Sequence, residues 1–161
     1  MDILELPLVT TQHSLREAIE AMKGSNRRAV VLWITDQEQY LCTNREVAEA
    51  WGMGFRQCSE LVSKIRQESS MAPLVDLWGV QKETLASRLD SLGSSFGVLN
   101  PGGSATAAAV VTRHEHLGDP FRNGAKVCMC TGPLNHQAEE LPPVSNGGPC
   151  RDCTVGIYEC F

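Results

Sequence analysis

The sequence has no long apolar stretch. Its longest run, Ala29–Ile34, is six residues, far short of the roughly 20 that a membrane-crossing helix needs. It has no basic leader either. The start, Met1-Asp2-Ile3-Leu4-Glu5, is acidic, so no secretory signal peptide is expected and a cytoplasmic location is. Positive charge is not in excess: 14 Lys and Arg stand against 19 Asp and Glu, a net charge of -5. Clustered cations for phosphate contacts are therefore missing, and neither a nucleic-acid partner nor a membrane partner is expected. There is no Walker phosphate loop, no nucleophile elbow and no His-Glu-x-x-His pair, so no enzymatic activity is expected. Cysteine is scarce upstream, where only Cys42 and Cys58 occur, whereas five of the seven fall in the last 34 residues: Cys128, Cys130, Cys150, Cys153 and Cys160. A secreted disulfide scaffold would spread its cysteines along the chain, so metal binding is the first reading of this skew.

What is present suffices for a packed core. The 161 residues are 42% hydrophobic and 20% charged, within the range of globular domains. The composition divides into a body, about residues 1–122, and a Cys/Pro/Gly-rich tail, about 123–161. The body reads as mixed α/β (α+β). Ser14 with Glu17 forms a capping box for a helix carrying Leu15, Ala18, Ile19 and Met22 at helical spacing, with Gly24 as its expected stop. Ala29–Ile34 and Tyr40–Cys42 read as strands around the turn at Asp36-Gln37-Glu38. Thr43 with Glu46 caps a helix that runs to about Trp51. Further helices are expected near 56–67 and 81–92, the second with Leu85, Leu89 and Leu92 on one side. Phe96–Leu99 and Ala107–Val111 read as strands, followed by Thr112 with Glu115 as another box.

This order occurs twice: helix, Gly, strand, turn, strand, Thr-x-x-Glu, helix. Gly24 to Thr43 spans 19 positions, as does Gly93 to Thr112. A fixed internal spacing of this kind marks a duplicated unit. With Pro7-Leu8-Val9-Thr10-Thr11 leading into Ser14–Ala18, and with the strand endings Tyr40–Glu46 and Ala109–Glu115, the span Pro7–Pro120 resembles a tandem pair of CBS domains, the Bateman module. The resemblance divides the body into a first repeat, 1–55, and a linker helix with a second repeat, 56–122. It implies a regulatory sensor that dimerises and binds AMP, ADP or ATP. Thr10, Thr11, Thr43, Glu46, Thr112 and Glu115 would then form the nucleotide sites. A Thr at a helix N-terminus suits phosphate, and a carboxylate three residues on suits ribose hydroxyls. The same Thr-x-x-Glu is equally a capping box, whose Glu turns back onto the chain. On that reading the protein is a ligand-free adaptor or assembly factor. His114 and His116, two apart, lack the helical spacing of a metal pair. Arg45 and Arg113 are expected to form surface ion pairs.

The tail, 123–161, reads Cys128-Met129-Cys130, then His136, then Cys150-Arg151-Asp152-Cys153 after Gly-Gly-Pro. It resembles a zinc ribbon with a Pro-rich connection between its halves, which would dock an unidentified protein partner. The metal candidates are Cys128, Cys130, His136, Cys150 and Cys153, one more than tetrahedral zinc takes. An extended chain is expected to turn Cys128 and Cys130 apart, so one of them should drop out. Cys130, His136, Cys150 and Cys153 are the first choice, and Cys128 replacing either Cys130 or His136 is the second. Ferredoxin spacings are absent, and Glu139-Glu140 before Pro-Pro reads as a solvated loop, not a catalytic base. Structural zinc contributes on the order of 10 kcal/mol, enough to fold a tail with almost no core of its own. Chelation is expected to unfold that tail and leave the body intact.

Overall fold

The computed structural model describes residues 2–67, 74–77, 79–92, 96–99, 106–112, 126–132, 146–150 and 156–161. Glu115, His136 and Cys153 lie outside these residues, as does the closing helix expected after Thr112. The elements are β1 (Asp2–Thr10), α1 (Leu15–Ser25), β2 (Ala29–Thr35), β3 (Glu38–Thr43), α2 (Asn44–Gly52), α3 (Cys58–Gln67), β4 (Val75–Asp76), α4 (Leu85–Ser91), β5 (Phe96–Leu99), β6 (Ala107–Thr112), β7 (Cys128–Cys130) and β8 (Tyr158–Cys160). The fold is mixed α/β. No helix among the described residues is long and apolar enough to cross a membrane.

Six strands form one sheet in the order β3-β2-β1-β6-β5-β4. β1 runs parallel to β2 and antiparallel to β6, while β2 and β3 form an antiparallel hairpin. The second half follows the same rule, with β4 parallel to β5 and β5 antiparallel to β6. Leu74 N–H donates to the Gln39 carbonyl at 2.7 Å, which ties the start of β4 to β3 and curls the sheet upon itself. Leu4, Leu6, Leu8, Val31, Trp33, Val98 and Val110 fill the inside of the curl. The period-2 alternation of β1 sends Leu4, Leu6 and Leu8 there. Pro7 sits where β1 changes partner, since the ladder to β2 begins at Leu8. Its missing N–H therefore falls where no strand bond is made.

Helices cover the outside. Leu15, Ala18, Ile19 and Met22 of α1 pack with Val47 and Ala48 of α2, with Cys58, Leu61, Val62 and Ile65 of α3, and with Val30, Leu32 and Cys42 of the sheet. Leu85 and Leu89 of α4 pack with Leu77 and Val111. Leu92, expected on the same side, is instead exposed at 46%, because α4 ends at Ser91 and Leu92 is its cap. Gly24 is not the stop of α1: the helix runs through it to Ser25, and Asn26 closes it at φ 55°. Asn tolerates the left-handed conformation well enough to take the role usual for Gly.

Two thiols are sealed inside this core. Cys42 and Cys58 are both fully buried. Burial, with the charge of Glu46 added, holds the Cys42 thiol well above its ordinary range. Burial and Glu17 push Cys58 from 9.0 up to about 12. Iodoacetamide at pH 8 should label neither residue in the native protein and both after denaturation, because the thiolate is the reactive form. The stability tied to the Cys58 thiol is full below pH 9.0 and is lost as pH rises through about 12, since the unfolded state releases the proton first. Urea midpoints should therefore fall across that window.

Candidate functional site: the cysteine hairpin and its seat on the body

β7 and β8 pair antiparallel in the register Cys128↔Cys160, Met129↔Glu159 and Cys130↔Tyr158. Reciprocal bonds between Val127 and Phe161, both 2.9 Å, extend the ladder at one end, and Thr131 N–H to the Ile157 carbonyl extends it at the other. On the far side of β8, Tyr158 N–H donates to the Gly148 carbonyl, and Cys150 N–H donates to that of Gly156. Strand alternation divides the hairpin into two faces. Val127, Met129, Glu159 and Phe161 share one, whereas Cys128, Cys130, Tyr158 and Cys160 share the other.

The first face is laid against the body. Val127, Met129 and Phe161 belong to the same apolar cluster as α1, α2 and α3, and Phe161 is 1% exposed. Buried Asn44, at the start of α2, donates from Nδ2 to the Phe161 carbonyl at 2.9 Å. Trp51 Nε1–H donates to the Cys130 carbonyl at 3.2 Å. Two guanidinium groups lie over the Trp51 ring, Arg56 at 3.8 Å and Arg16 at 5.1 Å from its centroid. Glu159 accepts from both Arg16 and Lys23 of α1. Burial alone would raise the Glu159 carboxyl, but the bonds from Arg16 and Lys23 outweigh it and hold the carboxyl below its ordinary value. Arg16, Lys23, Thr131, Asn146, Ile157 and Glu159 line a cleft of about 310 Å³ along this seam.

The second face carries the sulfur chemistry. Cys128 and Cys160 form a disulfide, at a pair without mutual backbone bonds, where opposing side chains come closest. Cys130, Cys150 and Tyr158 form a small buried cluster with Cys128 against it. Cys128 and Cys130 are thus not turned apart as expected, because residues two apart on a strand share a face. What removes Cys128 from the ligand set in this form is its bond to Cys160, which leaves its sulfur without thiolate charge. Cys130 Sγ accepts the Gly132 N–H at 3.3 Å, a bond that steadies a thiolate ligand. A Cβ on Gly156 would lie 2.4 Å from the same sulfur, so only glycine lets the two strands close around it. Among the described residues no three His, Cys, Asp or Glu side chains form a metal-binding group. Cys130 and Cys150 are nonetheless brought together with the donor chemistry that zinc takes.

Among the described residues, those expected to hold a nucleotide are spread along the sheet. Thr43 and Glu46 form a complete capping box at α2, with Glu46 Oε1 accepting from Thr43 N–H at 3.4 Å and from its hydroxyl at 3.0 Å. Thr10 N–H donates to His13 Nδ1 at 2.9 Å, and Thr10 Oγ1 lies 3.0 Å from the same nitrogen. Thr11 follows it in the turn after β1. Thr43 pairs with Ala29 at the start of β2, and Thr10 with Trp33 four residues further along, a separation of about 13 Å at the strand rise. Thr112 pairs with Asp2, at the opposite end of β1 from Thr10. Replacing Thr43 with Ala should cost about 1 kcal/mol through the lost cap, read as a lower urea midpoint.

Sequence reasoning missed Arg16, Lys23, Asn44, Trp51, Glu159 and Phe161 as residues of the site. One signal was available: Arg16 and Lys23 stand seven apart on α1, two turns along one face. Comparison of the chain with protein-family models, with curated proteins and with solved structures finds no match to any of them.

Proposed function

We propose that the chain is a non-enzymatic adaptor that presents a cysteine-bearing hairpin, seated on the body, to a protein partner. The observation that carries this reading is the two-faced hairpin. Its apolar face is committed to the body through Phe161 and Met129, and its sulfur-bearing face is turned the other way. A structural zinc ion would take Cys130 and Cys150 there, with His136 and Cys153, which lie outside the described residues, as the remaining ligands expected from sequence. Native mass spectrometry should find one zinc per chain.

A second reading, the adenine-nucleotide sensor that works as a homodimer, is favoured by the strand pairing that recurs in the two halves of the sheet. The capping box at Thr43 and Glu46 favours the adaptor. Titration calorimetry with AMP, ADP and ATP separates the two. Absence of heat with all three is expected. Binding that is lost on Thr43→Ala would favour the sensor instead.

A further inference from the structure

We propose that the Cys128–Cys160 disulfide is a thiol–disulfide exchange site, and that its reduction by a dithiol releases the C-terminal strand from its seat on α1 and α2. This stands independently of the metal reading. Three observations carry it. The disulfide joins the two strands of the hairpin face to face, closing a sequence separation of 32 residues. Both half-cystines are only partly buried and lie on the opposite face of the hairpin from Phe161, so their reduction does not require Phe161 to be displaced first. The strand it tethers is also the one that completes the body: Phe161 is keyed into the apolar core and bonded to Asn44 and Val127, and Glu159 is clamped by Arg16 and Lys23.

The exchange is a two-step displacement. A thiolate of the dithiol attacks one sulfur of the pair, forming a mixed disulfide and expelling the other cysteine as a thiolate, which takes up a proton. The second thiol of the reagent then attacks the mixed disulfide, and the remaining cysteine leaves and is protonated. Two electrons and two protons pass to the protein, and the reagent becomes a disulfide. Without the cross-link the undocked tail regains the freedom that loop closure denied it. For a loop of this size that shifts the docked-to-undocked ratio by roughly a few hundredfold.

Hydrogen exchange read by mass spectrometry on the purified full chain, with and without dithiothreitol, tests this. Reduction is confirmed by a gain of two hydrogens in intact mass. Exchange in peptides spanning 126–132 and 156–161 should then rise by about two orders of magnitude, while 85–91, whose leucines pack in a separate cluster, is unchanged. The double variant Cys128→Ser, Cys160→Ser should exchange at the reduced rate with or without dithiol, which separates loss of this bond from any effect of the reagent on other thiols. The proposal is overturned if reduced wild-type protein keeps its protection, if the double variant still responds to dithiol, or if the native pair resists reduction without denaturant. If the double variant fails to fold, the wild-type comparison decides alone.

Discussion

Replacing Phe161 with Ala should destabilise the whole protein, by about 3–5 kcal/mol. For a chain of this length that is a fall of roughly 10 °C or more in the unfolding temperature. Residues at the edge of a domain ordinarily tolerate change. Here, though, the Phe161 ring is 1% exposed among residues of α1, α2 and α3, and its backbone bonds both Val127 and Asn44. Ala would leave a cavity bounded on one side by the body and on the other by the hairpin. The loss should therefore appear in signals from the sheet, such as far-ultraviolet circular dichroism, and not only in signals from the tail. An unchanged melting temperature would mean that the hairpin rests on the body without sharing its core.

Removal of the proposed zinc should have a comparable or larger effect, and here the structure changes what is expected. From sequence, a chelator strong enough to strip thiolate-bound zinc should melt the tail and spare the body, since a structural ion contributes on the order of 10 kcal/mol to the segment it folds. The hairpin, however, supplies Val127, Met129 and Phe161 to the body's own cluster. Loss of the ion should thus expose apolar surface on α1 and α2 and lower the body's stability by at least as much as Phe161→Ala. Trp51, whose ring nitrogen bonds the Cys130 carbonyl, should report undocking through its fluorescence. A chelated protein with disordered tail peptides and an unaltered body transition would restore the view of two independent parts.

Local chemistry was legible in the sequence, and long-range placement was not. The Ser14 and Thr43 caps, the hairpin of β2 and β3, and the strand Phe96–Leu99 follow from capping residues, β-branched runs and turn chemistry, which act over a few positions. The length of β1 was missed although Leu4, Leu6 and Leu8 alternate, because Pro7 argues against a central strand unless the change of partner at that residue is known. Cys130 and Cys150, grouped from sequence as metal candidates, lie in one small buried cluster. The pairing of Cys128 with Cys160 was not foreseen, because register between strands 32 residues apart has no local signal. The seat of the hairpin was hidden for the same reason. Arg16, Asn44 and Trp51 read as ordinary helix residues, and only the tertiary fold sets Glu159 and Phe161 against them.

The decisive quantity is the protection of two amides. Val127 and Phe161 donate to each other's carbonyls at the mouth of the hairpin, where the tail meets the body. Native-state hydrogen exchange by NMR on the oxidised full chain measures their opening free energy beside that of Val31 and Leu32 in β2. If the hairpin is part of the body's core, the four amides open with the same free energy and show the same denaturant dependence. If Val127 and Phe161 exchange orders of magnitude faster than β2, the tail is a loosely held appendage and the adaptor reading built on its fixed seat is wrong.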